Sequence, residues 1–173
     1  FDPSTPAPAP GYVLVIDQVA GDASVRASKG HRARFQEMLC DAQEENPGQP
    51  ILIRTHPETA QGHRTGMYRA EDCNDRTQIF DAPISPWHLL EGATAVYTLS
   101  SQMGFEAILA GHRPHVYGQP FYAGWGLTTD TGDVPPRRRA TPSLSGLVHA
   151  ALIDYPRYTD PVTCLPCPVE TAI

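Results

Sequence analysis

Residues 12–17 read Tyr-Val-Leu-Val-Ile-Asp: five apolar positions in a row, three of them β-branched, closed by a carboxylate. A strand with one wet face alternates apolar and polar residues. An unbroken run therefore belongs to a parallel strand covered on both sides. Such a strand demands helices on both faces of its sheet and crossover connections between strands. The rest of the chain supplies them. Residues 32–45 read as an amphipathic helix that turns Ala33, Phe35, Met38, Leu39 and Ala42 to the core, stopped by Asn46-Pro47-Gly48. Residues 51–55 (ILIRT) form a second strand running into His56-Pro57, and after a polar stretch over 58–77 Ile79-Phe80 form a short third. Ser85-Pro86 opens a helix reaching about Leu90, with serine as N-cap and proline at the first helical position. Residues 95–99 (AVYTL) are a fourth strand, 102–110 a helix ended by Gly111, 115–117 a short fifth strand and 144–154 a last amphipathic helix. Strands alternating with helices predict an α/β, Rossmann-like fold, a mainly parallel sheet with helices on both faces.

Composition removes several classes of function. With 40% apolar and 18% charged residues the 173-residue chain has the balance of a globular protein. Its apolar runs fall far short of the roughly 20 residues a membrane span needs, and residues 1–10 lack the basic start and apolar stretch of a signal peptide. A net charge of −6, with Arg137–Arg139 as the one compact basic run, argues against broad nucleic-acid binding. Four irregularly spaced cysteines suit a reducing, cytoplasmic compartment better than a disulfide framework. Prolines at positions 3, 6, 8 and 10 make residues 1–10 an extended linker. Residues 11–173 are then expected to be one domain.

In parallel sheets of this kind ligands bind beyond the carboxyl ends of the strands. Four loops are expected there: 18–24, 56–66, 100–102 and 118–126. Pro57 biases His56 to an extended backbone, which would aim an imidazole N–H at a phosphate or a departing anion; a histidine capping a turn reads equally well. Ser100 and Ser101 stand at the start of helix 102–110, where free amides and the helix dipole favour a phosphate; a plain N-cap is the simpler account. Residues 118–126 (GQPFYAGWG) interleave aromatics with glycines, a pattern fit to lay ring faces and backbone against a planar or sugar ligand, or to form a surface loop pinned by Trp125. Gln18 and Asp22 lie in the first loop, which either closes over a ligand or is a turn with an Asx cap. Cys164-Leu-Pro-Cys167 has zinc-knuckle spacing, but no second such pair exists, and His112 and His115 are poorly placed to complete it. No P-loop, GxGxxG or GxSxG motif is present.

Taken together, YVLVIDQVAGDASV, ILIRTHPE, SPWHLLEGATAVYTLSSQMGFEAILAG, YGQPFYAGWGLT and YPRYTDPVT resemble the bacterial capsule polysaccharide proteins of the KpsC/KpsS type. The resemblance runs from about Tyr12 to the C-terminus. It implies the nucleotide-sugar half of a two-domain GT-B glycosyltransferase that transfers Kdo (3-deoxy-D-manno-octulosonic acid) from CMP-Kdo, with retention, to a lipid-linked acceptor. By that match His56 and Pro57 form one phosphate motif, with His56 stabilising the leaving CMP, and Ser100 and Ser101 form the other. Gln102, Glu106, Gln119, Tyr122 and Trp125 fall in matching segments as further substrate-binding candidates, with Glu106 one helical turn on, placed either for ribose hydroxyls or to cap a partner inside the fold. No metal cofactor is implied. The expected partners are the donor, an N-terminal acceptor domain that supplies the carboxylate nucleophile, and the acceptor glycan at the inner membrane surface, so the protein would be cytoplasmic or peripheral at that membrane. These residues alone would bind nucleotide without turnover. A non-catalytic nucleotide- or glycan-binding module of capsule assembly and export, and a GT-B enzyme using a UDP sugar, are the competing readings.

Overall fold

A computed structural model describes residues 5–172. In chain order its elements are β1 (Tyr12–Ile16), α1 (Ala23–Ala27), α2 (Arg32–Glu45), β2 (Ile51–Arg54), α3 (Pro57–Ala60), β3 (Thr77–Phe80), α4 (Pro86–Gly92), β4 (Ala93–Thr98), α5 (Gln102–Leu109), β5 (His115–Val116), β6 (Thr129–Asp130), α6 (Leu144–His149), β7 (Tyr158–Thr159), β8 (Pro166–Cys167) and α7 (Val169–Ala172). All five residues of β1 are buried, and the two faces go to different cores. Val13 and Val15 pack with Phe35, Met38 and Leu39 of α2, while Leu14 and Ile16 pack with Leu89 and Leu90 of α4 and Met103 and Ala107 of α5. Each fully buried side chain of this size is worth roughly 1.5–3 kcal/mol, so one strand anchors both layers.

The first six strands form one sheet in the order β3-β2-β1-β4-β5-β6, every neighbouring pair parallel. In register, Val13 stands opposite Ile51 on one side and Ala95 on the other. The chain builds outward from β1 to β3, then returns to the other side of β1 with β4. That reversal makes a crevice at the carboxyl ends of β1 and β4, and the expected Rossmann-like fold is observed.

The chain divides into two compact units, Phe1–Arg139 and Ala140–Ile173. In the second, Ser143 caps α6 by accepting from the Gly146 amide at 3.1 Å. The helix widens into a π turn over Ala150–Asp154, and β7 and β8 pair as an antiparallel hairpin. The first four residues of the proline-rich opening lie outside the described residues, and 5–10 are in neither helix nor strand. No helix among the described residues is long and apolar enough to cross a membrane.

Several elements differ from the sequence expectation. α1 begins inside the expected loop 18–24, and with only Val25 buried it offers no periodicity to read. The polar stretch 58–77 holds α3 and a 3-10 turn at Ala70–Asp72, and β3 starts at Thr77, ahead of Ile79. β4 is shifted to Ala93–Thr98, because Gly92 ends α4 directly against it. The helix expected over 144–154 stays α-helical only to His149, and neither β6 nor the β7–β8 hairpin was foreseen.

Candidate functional site

The crevice between β1 and β4 is closed by one side chain. Gln18, 6% exposed, accepts the Ser100 amide on Oε1 at 2.9 Å and reaches the Ser100 hydroxyl with Nε2 at 3.2 Å. It thereby ties the loop after β1 to the loop after β4 across 82 residues of sequence. Ser100 is thus committed to a brace, and the two adjacent serines face different tasks.

Ser101, half-buried like Ser100, is the one that lines a cleft. It lines a cleft of about 150 Å³ with Ile16 and Asp17 at the end of β1, Arg54, Thr55 and His56 at the end of β2, Pro86 of α4, and Met103 and Glu106 of α5. As N-cap of α5, Ser101 accepts the Met103 amide on Oγ at 3.2 Å, which leaves its own hydroxyl hydrogen to donate. The N-terminal turn of α5 brings the positive end of its dipole to the same place.

His56 lies opposite, exposed at the exit of β2. Its Nδ1 accepts the Glu58 amide at 3.2 Å, and its carbonyl accepts from Thr59 and Ala60 at 2.9 and 3.0 Å. His56 therefore does cap a turn, and the cap serves the other reading too. An imidazole whose Nδ1 accepts carries its proton on Nε2, so the ring presents a donor. Glu106 completes the polar lining. Burial raises its carboxyl above the usual range, and its side chain has no hydrogen-bond partner among the described residues.

Asp17, Arg54 and Met103 belong to this lining without having been singled out. Asp17 is 4% exposed, and its Oδ1 accepts three amides: Gln18 at 2.8 Å, Met67 at 2.9 Å and Tyr68 at 3.3 Å. Burial pushes its pKa up to about 6, against the opposing pull of those amides and of Arg32. The carboxylate also explains Gly66. A Cβ at that position would stand 2.1 Å from Asp17 Oδ2, so only glycine lets the loop close on the strand end. Further bonds from Ala20 N to Thr65 O (2.8 Å) and Met67 N to Gln18 O (3.1 Å) knit the loops after β1 and β2 together. Arg54 points inward, donating to the Ala82 and Ile84 carbonyls at 2.6 and 3.3 Å. A charge inside the otherwise apolar run ILIRT was the available signal for it.

The remaining candidates lie elsewhere. Asp22 caps α1, with Oδ1 2.9 Å from the Ser24 amide, a bond that holds its carboxyl below the usual range. Pro57 is the first residue of α3, and Gln102 is exposed at the first position of α5. Tyr122 is 1% exposed and donates its hydroxyl to the Ser101 carbonyl at 2.6 Å, so it supports the serine turn from behind. Trp125 donates Nε1 to the Phe121 carbonyl at 2.7 Å and lies under Arg138 at 5.7 Å from its ring centroid. Gln119 borders a different cleft, beyond β5 and β6. Of the two histidines weighed for zinc, His112 Nε2 is 2.8 Å from the Leu90 carbonyl and His115 stacks on Tyr97.

A parallel sheet with a donor-lined cleft at the strand ends fits many ligands, so sequence likeness has to decide the family. The family model for capsule polysaccharide biosynthesis proteins matches residues 3–158. The chain belongs to that family. Among capsule polysaccharide biosynthesis relatives, it is 36% identical over 159 residues to the capsule polysaccharide modification protein LipA of Neisseria meningitidis serogroup B, covering 89% of this chain and 23% of that protein. It is 38% identical over 146 residues to the lipopolysaccharide-processing protein LpsZ of Rhizobium meliloti, covering 84% and 33%. It thus spans about a quarter to a third of these relatives. The solved KpsC β-Kdo 2,4 transferase of Thermosulfurimonas dismutans superposes with a TM-score of 0.87 at 37% identity, over 99% of this chain and 53% of that one. The KpsC β-Kdo 2,7 transferase of the same organism gives 0.72 at 31% identity, over 95% and 52%. The KpsC-type resemblance and the Rossmann-like fold expected from sequence are both borne out.

Proposed function

We propose that this chain is the donor-binding half of a capsule Kdo transferase and holds CMP-Kdo in the cleft between His56 and Ser101. The observation that carries the reading is the pairing of a histidine N–H at the end of β2 with the capped start of α5 beyond β4, both lining one cleft. A phosphate seated there accepts from His56 Nε2, the Ser101 hydroxyl and the helix amides, and charge developing on departing CMP meets donors already in place. The carboxylate of Glu106, without a hydrogen-bond partner among the described residues and one turn further along α5, accepts from ribose hydroxyls. The His56 N–H, the Ser101 hydroxyl and the helix amides stabilise the phosphate by hydrogen bonding and the helix dipole, with no metal ion required. Transfer is retaining, with the nucleophilic carboxylate and the acceptor site on a preceding domain of the whole protein, and the lipid-linked acceptor met at the inner membrane surface from the cytoplasm.

Calorimetric titration with CMP tests this, with UMP and EDTA arms. CMP binding that survives EDTA and weakens about tenfold or more, at least 1.4 kcal/mol, in both His56→Ala and Ser101→Ala is the expected result. No CMP binding to the folded protein overturns the donor site and moves a scaffold role in capsule assembly ahead.

A further inference from the structure

The two loops after β5 and β6 meet the junction of α1 and α2 around a second cleft of about 390 Å³, within the usual size of small-ligand clefts. It opens at the same carboxyl edge of the sheet as the His56 cleft but shares none of its residues. Its floor is fixed by Arg34, whose three nitrogens are engaged: Nε to the Tyr117 carbonyl at 3.2 Å, Nη2 to Thr131 at 3.0 Å and Nη1 to Glu37 at 2.6 Å. Glycines let the loops touch, since a Cβ at Gly132 would stand 2.5 Å from the Gly118 carbonyl oxygen.

The groups left facing the opening are of both kinds. Lys29, the only lysine in the chain, sits at φ 55°, in the left-handed position after α1 that helix ends usually give to glycine. Its ammonium is 3.7 Å from the Asp133 carboxylate, and both side chains are exposed. His31 accepts the Arg34 amide on Nδ1 at 3.3 Å, so its Nε2 proton is free to donate. The Gln119 carboxamide has no partner among the described residues and offers a donor and an acceptor at one point.

We propose that this second cleft binds a sugar. A bare anion would meet Asp133, and a bare cation would meet Lys29. A hydroxyl group both donates and accepts, so a polyhydroxylated ring matches a lining that alternates Lys29, Asp133, His31 and Gln119. The proposal does not depend on CMP occupying the first cleft. It separates two tasks along one sheet edge: phosphate donors beyond β1, β2 and β4, and hydroxyl recognition beyond β5 and β6.

Saturation-transfer NMR on the folded chain, with two neutral hexoses, glucose and galactose, each at millimolar concentration, tests it. Transfer to at least one sugar is expected, lost in Gln119→Ala and Asp133→Asn and retained in His56→Ala and in the presence of CMP. Circular dichroism confirms that each variant is folded. No transfer to either sugar, transfer that survives both cleft variants, or transfer abolished by His56→Ala or by added CMP overturns the proposal.

Discussion

Asp17 sets the pH behaviour of the strand end. Its pKa rises from the usual 3.8 to about 6 because burial outweighs the three amide bonds it accepts. A carboxyl that holds its proton more tightly when folded contributes stability below pH 4 and loses it as pH climbs through 6. At about 1.4 kcal/mol per pH unit the effect is roughly 3 kcal/mol at most. Asp17→Asn keeps an oxygen for the amides of Gln18, Met67 and Tyr68 and removes the buried charge. Urea unfolding between pH 4 and 7 should therefore show the variant with a flatter profile than the wild type and equal or greater stability at pH 7. A variant less stable at every pH would mean that the ionised carboxylate is needed for the loop.

At the scale of elements, α5 is placed by what lies behind it. Gly104 gives Tyr122 its room: a Cβ there would stand 2.2 Å from the tyrosine hydroxyl. That hydroxyl in turn holds the Ser101 carbonyl. Tyr122→Phe removes one hydrogen bond, worth about 1 kcal/mol of stability. It is expected to lower the melting temperature by a few degrees and to weaken CMP binding, although Tyr122 does not line the cleft. An unchanged CMP affinity would show the serine turn to be held without it. Elements with a buried pattern were legible from sequence. α2 was found to the residue because Phe35, Met38, Leu39 and Ala42 recur at helical spacing, and β1 because nothing in it faces water. α1, with Val25 alone buried, and β6, two exposed residues defined only by pairing with β5, carry no such signal. The site was half legible for a related reason. His56 and Ser101 stand at a strand exit and a helix start, and Glu106 lies one turn along α5 in a segment that matches the family, whereas the division of labour between Ser100 and Ser101 depends on Gln18, which comes near them only in the fold.

For the whole molecule, the match to about half of each KpsC transferase bounds what these residues do by themselves. The groups proposed to hold the donor phosphate, His56 and Ser101, lie in this half, and the proposed nucleophile is not among its residues. Incubated with CMP-Kdo, the 173-residue chain is expected to release no more CMP than buffer does while still binding the nucleotide. Release of CMP above background, abolished by Asp17→Asn or Glu106→Gln, would place a catalytic carboxylate within this half.

The bonds from Met67 and Tyr68 to Asp17 join residues 50 and 51 positions apart, and the Gln18–Ser100 brace joins residues 82 apart. No local segment of the chain contains the His56 cleft. The loops around it can close only after β1 has found β2 on one side and β4 on the other, with the chain entropy of both connections already lost. The cleft therefore exists only while both pairings hold, so a ligand bridging His56 and α5 would steady the junction on which its own binding depends.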